Sequence, residues 1–174
     1  MTWLAGVPEG ETDWDRLASL CPGAFDALIA VVGAAWQDTD PVLLELARLR
    51  IATLLGNTAE STRPTSRASQ SGLSEAQTAD VAAWPTSPHF GARERACLAL
   101  TEQFVMDANG VTDVQVAEVT DHLGAAGCYA FVQAVSVLEG FQRACLTLGI
   151  RTAPDVDEIL RRAGRDQNPT EVAS

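Results

Sequence analysis

The chain has 174 residues, 47% of them apolar and 20% charged, which suits one domain with its own core and excludes a disordered polymer. A net charge of −11 argues against a nucleic-acid partner, because phosphate binding needs a basic patch. All 12 basic residues are arginine, so Schiff-base chemistry through a lysine is excluded.

In chain order, MTWLAGVPEGETDWD lacks a basic leading region and soon turns acidic, so it does not read as a signal peptide. Residues 1–19 are taken as an N-terminal extension. Pro22 stands where a first-turn proline belongs, and FDALIAVVGAAW follows with helical apolar spacing. Asp40-Pro41 opens a second helix, VLLELARLRIATLLG, with Asp40 as its N-cap. The polar stretch 61–70 contains Pro64, and 67–71 suggests a short helix ended by Gly72. Ser74 and Gln77 form a capping box that starts another.

Pro85 and Pro88 mark a loop over 84–90, after which GARERACLALTEQFVMDAN reads as a long amphipathic helix stopping at Asn109-Gly110. Thr112 caps VQVAEVTDHL, and 124–149 supplies a long, very apolar helix. Its uncharged run, 124–138, is too short to cross a bilayer and is followed by Glu139 and Arg143. A last helix, DVDEILRRAG, carries acids first and arginines last, as its dipole favours, and the tail DQNPTEVAS is expected to be disordered. No segment alternates at period two. The expectation is an all-α fold with a core domain over 20–150 and a C-terminal helix and tail over 151–174. A helix as apolar as CYAFVQAVSVLEGF must be covered, so a homo-oligomer is expected. The protein is read as soluble and cytoplasmic, with no membrane partner.

The four cysteines, Cys21, Cys97, Cys128 and Cys145, are scattered through apolar helical patterns without CxxC spacing. They read as buried, reduced thiols; no metal and no cofactor is expected. The chemical content lies elsewhere. Glu45, Arg48 and Arg50 interrupt an otherwise apolar helix, and Glu45 and Arg48, three residues apart, share a face. A carboxylate among leucines is costly to bury without a partner, so Glu45 is either paired or functional.

The stretch LLELARLRIATLLGNTAESTRPTSRASQSGLSEAQ resembles the core motif of the carboxymuconolactone decarboxylase and alkylhydroperoxidase D (AhpD-like) family. HFGARERACLALTEQF and the two helices after it resemble the family's later helices, so the likeness covers roughly residues 20–150. The resemblance implies an AhpD-like helical fold. It places Glu45 on the family's proton-relay glutamate, Gly56 on the glycine before the cysteine pair, and 72–75 on the closing Gly-Leu-Ser-Glu. The pair itself is degenerate: Asn57 and Glu60 stand at the cysteine positions and Pro64 at the histidine. Thiol peroxidase chemistry needs a thiolate nucleophile and a resolving thiol, so it does not carry over. The decarboxylase branch, which also lacks the pair, fits better, although Pro64 fails its histidine as well.

Two readings stay open. In one, the fold is a non-redox small-molecule-binding or assembly protein with a degenerate site. In the other, it is a cofactor-free acid–base enzyme of decarboxylase, lyase or isomerase type acting on a small organic acid. There Glu45 would be the base and Glu60 its carboxylate partner, with Asn57 as donor to an oxyanion. Arg48 or Arg63 would hold the substrate carboxylate, and His122, or else His89, could enter from a neighbouring helix or subunit. A redox role through Cys97 or Cys128, brought near by folding, is a third reading. Trp36 and Trp84 read as packing residues.

Overall fold

The structure, a computed structural model, describes residues 12–58, 60–150 and 156–166. Among them every regular element is helical: α1 (Asp13–Leu20), α2 (Pro22–Asp38), α3 (Pro41–Leu54), α4 (Ser66–Gln70), α5 (Glu75–Asp80), α6 (Ala92–Met106), α7 (Asp113–Leu148) and α8 (Val156–Asp166). Of the tail expected to be disordered, Asp166 ends α8 and 167–174 lie outside the described residues.

The predicted starts are where the sequence signals place them. Pro22 and Pro41 open α2 and α3, and the Asp40 side chain accepts hydrogen bonds from the Val42 and Leu43 N–H groups. Ser74–Gln77 and Thr112–Gln115 form reciprocal capping boxes at α5 and α7. Two elements differ from expectation. The assumed N-terminal extension contains α1, capped by a box between Thr12 and Asp15, and its Trp14 is buried with its ring stacked 5.1 Å from that of Phe141. The helix expected to stop at Asn109-Gly110 ends at Met106, and Ala108–Gly110 is a separate 3₁₀ turn.

α3 lies in the middle. Leu43, Leu44, Ala47 and Ile51 join the larger core with α2, α6, α7 and α8. On another side, Leu46 and Leu49 pack with Ala68, Leu73, Val81, Phe90 and Leu98 in a second cluster. A helix clamped between two cores has no solvent face, and this is why its sequence is apolar nearly all round. Fully burying each of these leucines contributes about 1.5–3 kcal/mol.

α7 is one element with a break. Gly124 has φ 72° and ψ 168°, a conformation reserved for glycine, so the two helices read from the sequence meet there at a kink. By length and composition alone the whole element could cross a bilayer, unlike its uncharged run taken by itself. Its buried residues, Phe131, Val135 and Leu138 among them, pack instead with α2, α3 and α6. Val156, Ile159 and Ala163 of α8 join the same core and pack along α2. The loop over 84–90 is gathered by Arg95, whose guanidinium donates to the Trp84, Pro85, Ser87 and Phe90 carbonyls.

Candidate functional site

The candidate site begins where α3 ends. Gly56, at φ 70°, reverses the chain in the left-handed region, so the Asn57 N–H reaches back to the Ala52 carbonyl at 2.8 Å. The following turns bring 60–65 back over the side chains of Glu45 and Arg48.

Those two residues anchor everything around them. Glu45 is completely buried, and its carboxylate accepts four hydrogen bonds. Arg48 Nη2 and Nε donate at 2.7 and 3.2 Å, and the Thr65 N–H and hydroxyl donate at 3.0 and 3.1 Å. Arg48 is equally committed. Beyond its two bonds to Glu45, it donates to Glu60 Oε2 at 2.8 Å, to the Arg63 carbonyl at 2.5 Å and, at 3.5 Å, to the Glu60 carbonyl. All five of its N–H groups are engaged. Burial alone would push the Arg48 guanidinium down, but the adjacent Glu45 and Glu60 carboxylates outweigh it and raise it above the ordinary arginine value.

Beside this cluster lies a cavity of about 300 Å³. Its walls are mostly apolar: Val32 and Trp36 from α2, Leu138 and Phe141 from α7, and Val156 and Ile159 from α8. The polar end consists of Arg48, Asn57, Glu60, Arg63, Thr65 and Gln142, with the Cys145 thiol beside them. Burial, then the nearby Glu60 carboxylate, pushes that thiol up to about 12, so it is protonated and a poor nucleophile at neutral pH.

The sequence expectations meet this geometry unevenly. Glu60, Asn57, Arg48 and Arg63 line one cavity. Glu45 does not, and with four hydrogen bonds and no exposure it is not placed as a base toward a ligand. Arg48 lines the wall but has no N–H left for a substrate carboxylate. His122 is exposed on α7 and does not line the cavity. His89 is half exposed beside Asp80, with 3.8 Å between Nε2 and Oδ2, and is likewise outside. The cysteine that folding brings to the site is Cys145, not Cys97 or Cys128. Cys97 is buried in the core, where burial pushes its thiol up to about 12. Trp84 is a packing residue whose indole N–H donates to Glu102, whereas Trp36 is both core and cavity wall. Among the described residues no three His, Cys, Asp or Glu side chains converge as a metal site requires.

Gln142 was missed from sequence. It is 3% exposed, and its amide nitrogen donates to the Arg48 main-chain carbonyl at 2.9 Å. A glutamine spaced four from Leu138 and Leu146, on the apolar face of LEGFQRACL, was the available signal, since burying an amide there requires partners.

Residues 22–103 match the model of the carboxymuconolactone decarboxylase family. The resemblance read from LLELARLRIATLLG onward therefore holds. The matched family segment contains the Glu45–Arg48 cluster and the turns over it, while the α7 and α8 walls of the cavity lie beyond it. A crystal structure of a protein of unknown function from Agrobacterium tumefaciens, provisionally described as an AhpD antioxidant-defence protein, superimposes with a TM-score of 0.70. The alignment covers 80% of this chain and 97% of that one at 19% identity, a likeness of fold. No curated protein matches the chain.

Proposed function

We propose that this AhpD-like fold serves as a non-redox small-molecule-binding protein whose ligand occupies the cavity between the α3 turn, α2, α7 and α8. The observation that carries this reading is the cavity itself: about 300 Å³, apolar along its length and polar at one end, which is the usual form of a small-ligand site. With Asn57 and Glu60 at the family's cysteine positions and the nearby Cys145 thiol held protonated, thiol peroxidase chemistry has no nucleophile there. Glu45, Arg48 and Thr65 form the scaffold that holds the turn in place, and Glu60 and Asn57 face the ligand. The test is calorimetry with small apolar compounds against the unmodified protein and Leu138→Trp, which fills the cavity. Binding that disappears in the filled variant is the expected result; binding that persists unchanged sinks the assignment.

One observation favours an enzyme as the second reading: Glu60 brings a carboxylate to the cavity, with Asn57 as a neighbouring amide. A cofactor-free acid–base lyase on a small organic acid would then use Glu60 rather than Glu45, with Arg63 at the rim as the group meeting an anionic substrate. Any turnover found should fall with Glu60→Gln. Retention of full activity in that variant would remove this reading.

The proposal includes a homo-oligomer in a reducing, cytoplasmic setting. Exposed Val114, Val116 and Tyr129 on α7 support the first, and four cysteines without disulfides support the second.

A further inference from the structure

The buried charged cluster at the polar end of the cavity sets two carboxylates against one guanidinium, and this bears on the chemistry of the ligand. Arg48 has no N–H to offer, since Glu45, Glu60 and the Arg63 carbonyl take all five. Glu45 and Glu60 place two carboxylates around that single guanidinium, and the Glu60 side chain is only 13% exposed. Gln142 adds a neutral acceptor. Its nitrogen must face the Arg48 carbonyl, which can only accept, so the amide cannot be flipped and Oε1 is fixed on the other side. That oxygen is buried and has no hydrogen-bond partner. Buried carbonyl oxygens without partners are rare and point to a donor that completes them.

The remaining charged neighbours do not reverse this balance. Arg63 is exposed at the rim, where solvent screens its charge. Asp157 of α8, exposed, accepts from the hydroxyl of the lining residue Ser66 at 3.2 Å. In the walls, Trp36 and Phe141 are aromatic neighbours of a kind compatible with a cation.

We propose that the cavity takes a small apolar primary amine, its ammonium group donating to the Glu60 carboxylate and the Gln142 carbonyl and its hydrocarbon body lying against α2, α7 and α8. This deepens the binding-protein reading and rests on it. An ammonium supplies three donors where the protein supplies acceptors, and it compensates the excess carboxylate of the buried cluster. An anion seated at the same depth would meet the Glu60 carboxylate, with Arg48 already fully engaged.

Three probes with the same six-carbon body separate the cases: hexylamine, 1-hexanol and hexanoate, titrated calorimetrically into the full-length protein at neutral pH. Hexylamine is expected to bind at least tenfold tighter than hexanoate, with hexanol between them. Glu60→Gln should bring the amine down to the level of the alcohol, and Gln142→Leu should weaken amine and alcohol together. Hexanoate binding as tightly as hexylamine would overturn the amine assignment while leaving the pocket in place. If none of the three binds, the pocket reading falls with it. The comparison on the unmodified protein decides the matter even where a variant fails to fold.

Discussion

Glu45 accepts four hydrogen bonds in a position that water does not reach, and this limits what the residue can do. Its partners are the Arg48 guanidinium and the N-cap of α4, so the carboxylate ties the α3 helix to the turn that follows it. Removing one member of a buried pair strands the other, which typically costs about 3–5 kcal/mol. Glu45→Gln should therefore destabilise by about that amount in denaturant unfolding, whereas Glu60→Gln, at the edge of the cavity, should cost about 1–2 kcal/mol. The buried thiols give a second prediction. Cys97 and Cys145 sit at about 12 against an ordinary 9.0, raised chiefly by burial. Below pH 9 each is protonated in folded and unfolded chains alike. Between about 9 and 12 the unfolded chain releases protons that the folded one retains, so stability falls as pH rises, by about 1.4 kcal/mol per pH unit for each thiol. Unfolding measured at pH 8.5 and 10.5 should show this loss, and Cys145→Ala should reduce it; an unchanged loss would mean that Cys145 does not hold its proton. At this scale the sequence showed which residues were chemically out of place, Glu45 and Arg48 among leucines. Their three-residue spacing also showed that they could pair, as they do, but not the Thr65 bonds that close the network from twenty residues away.

Helices were legible wherever a side chain caps them or a proline opens them. Asp40, Ser74 and Thr112 act through contacts two or three residues away, and local chemistry of that kind is written directly in the sequence. α1 escaped because its box uses Asp15 in place of Glu or Gln and its one buried anchor, Trp14, is stabilised by Phe141 from the other end of the chain. The cavity walls escaped for the same reason: Leu138, Phe141 and Ile159 look like any core residue until α7 and α8 are folded over α2. The break in α7 depends on a single residue. At φ 72° and ψ 168° a side chain is strained whatever space surrounds it, and nothing lies within 4 Å of a Cβ added at Gly124. Gly124→Ala should cost about 1–3 kcal/mol through backbone strain alone. A thermal melt unchanged from that of the unmodified protein would show that the helix can straighten there.

For the molecule as a whole, the family segment supplies the turn, the ion-pair cluster and the α2 wall, and α7 and α8 beyond it supply the other walls, so the cavity exists only in the assembled fold. The same assembly leaves Tyr129, Val114 and Met106 about two-thirds exposed or more, at 68%, 66% and 70%. Light scattering at micromolar concentration should give a mass above that of one chain, and Tyr129→Glu should reduce it; a monomer at that concentration would remove the oligomer from the account. The proposed ligand site is the cavity. Methyl-resolved NMR during titration with hexylamine tests it most directly. Saturable shifts are expected at the methyl groups of Val32, Leu138, Val156 and Ile159, with those of Leu46, Leu49 and Leu98 in the second cluster unmoved. Shifts confined to the second cluster or to the surface, or no saturable shift at the cavity methyls with hexylamine, 1-hexanol and hexanoate alike, would contradict this assignment.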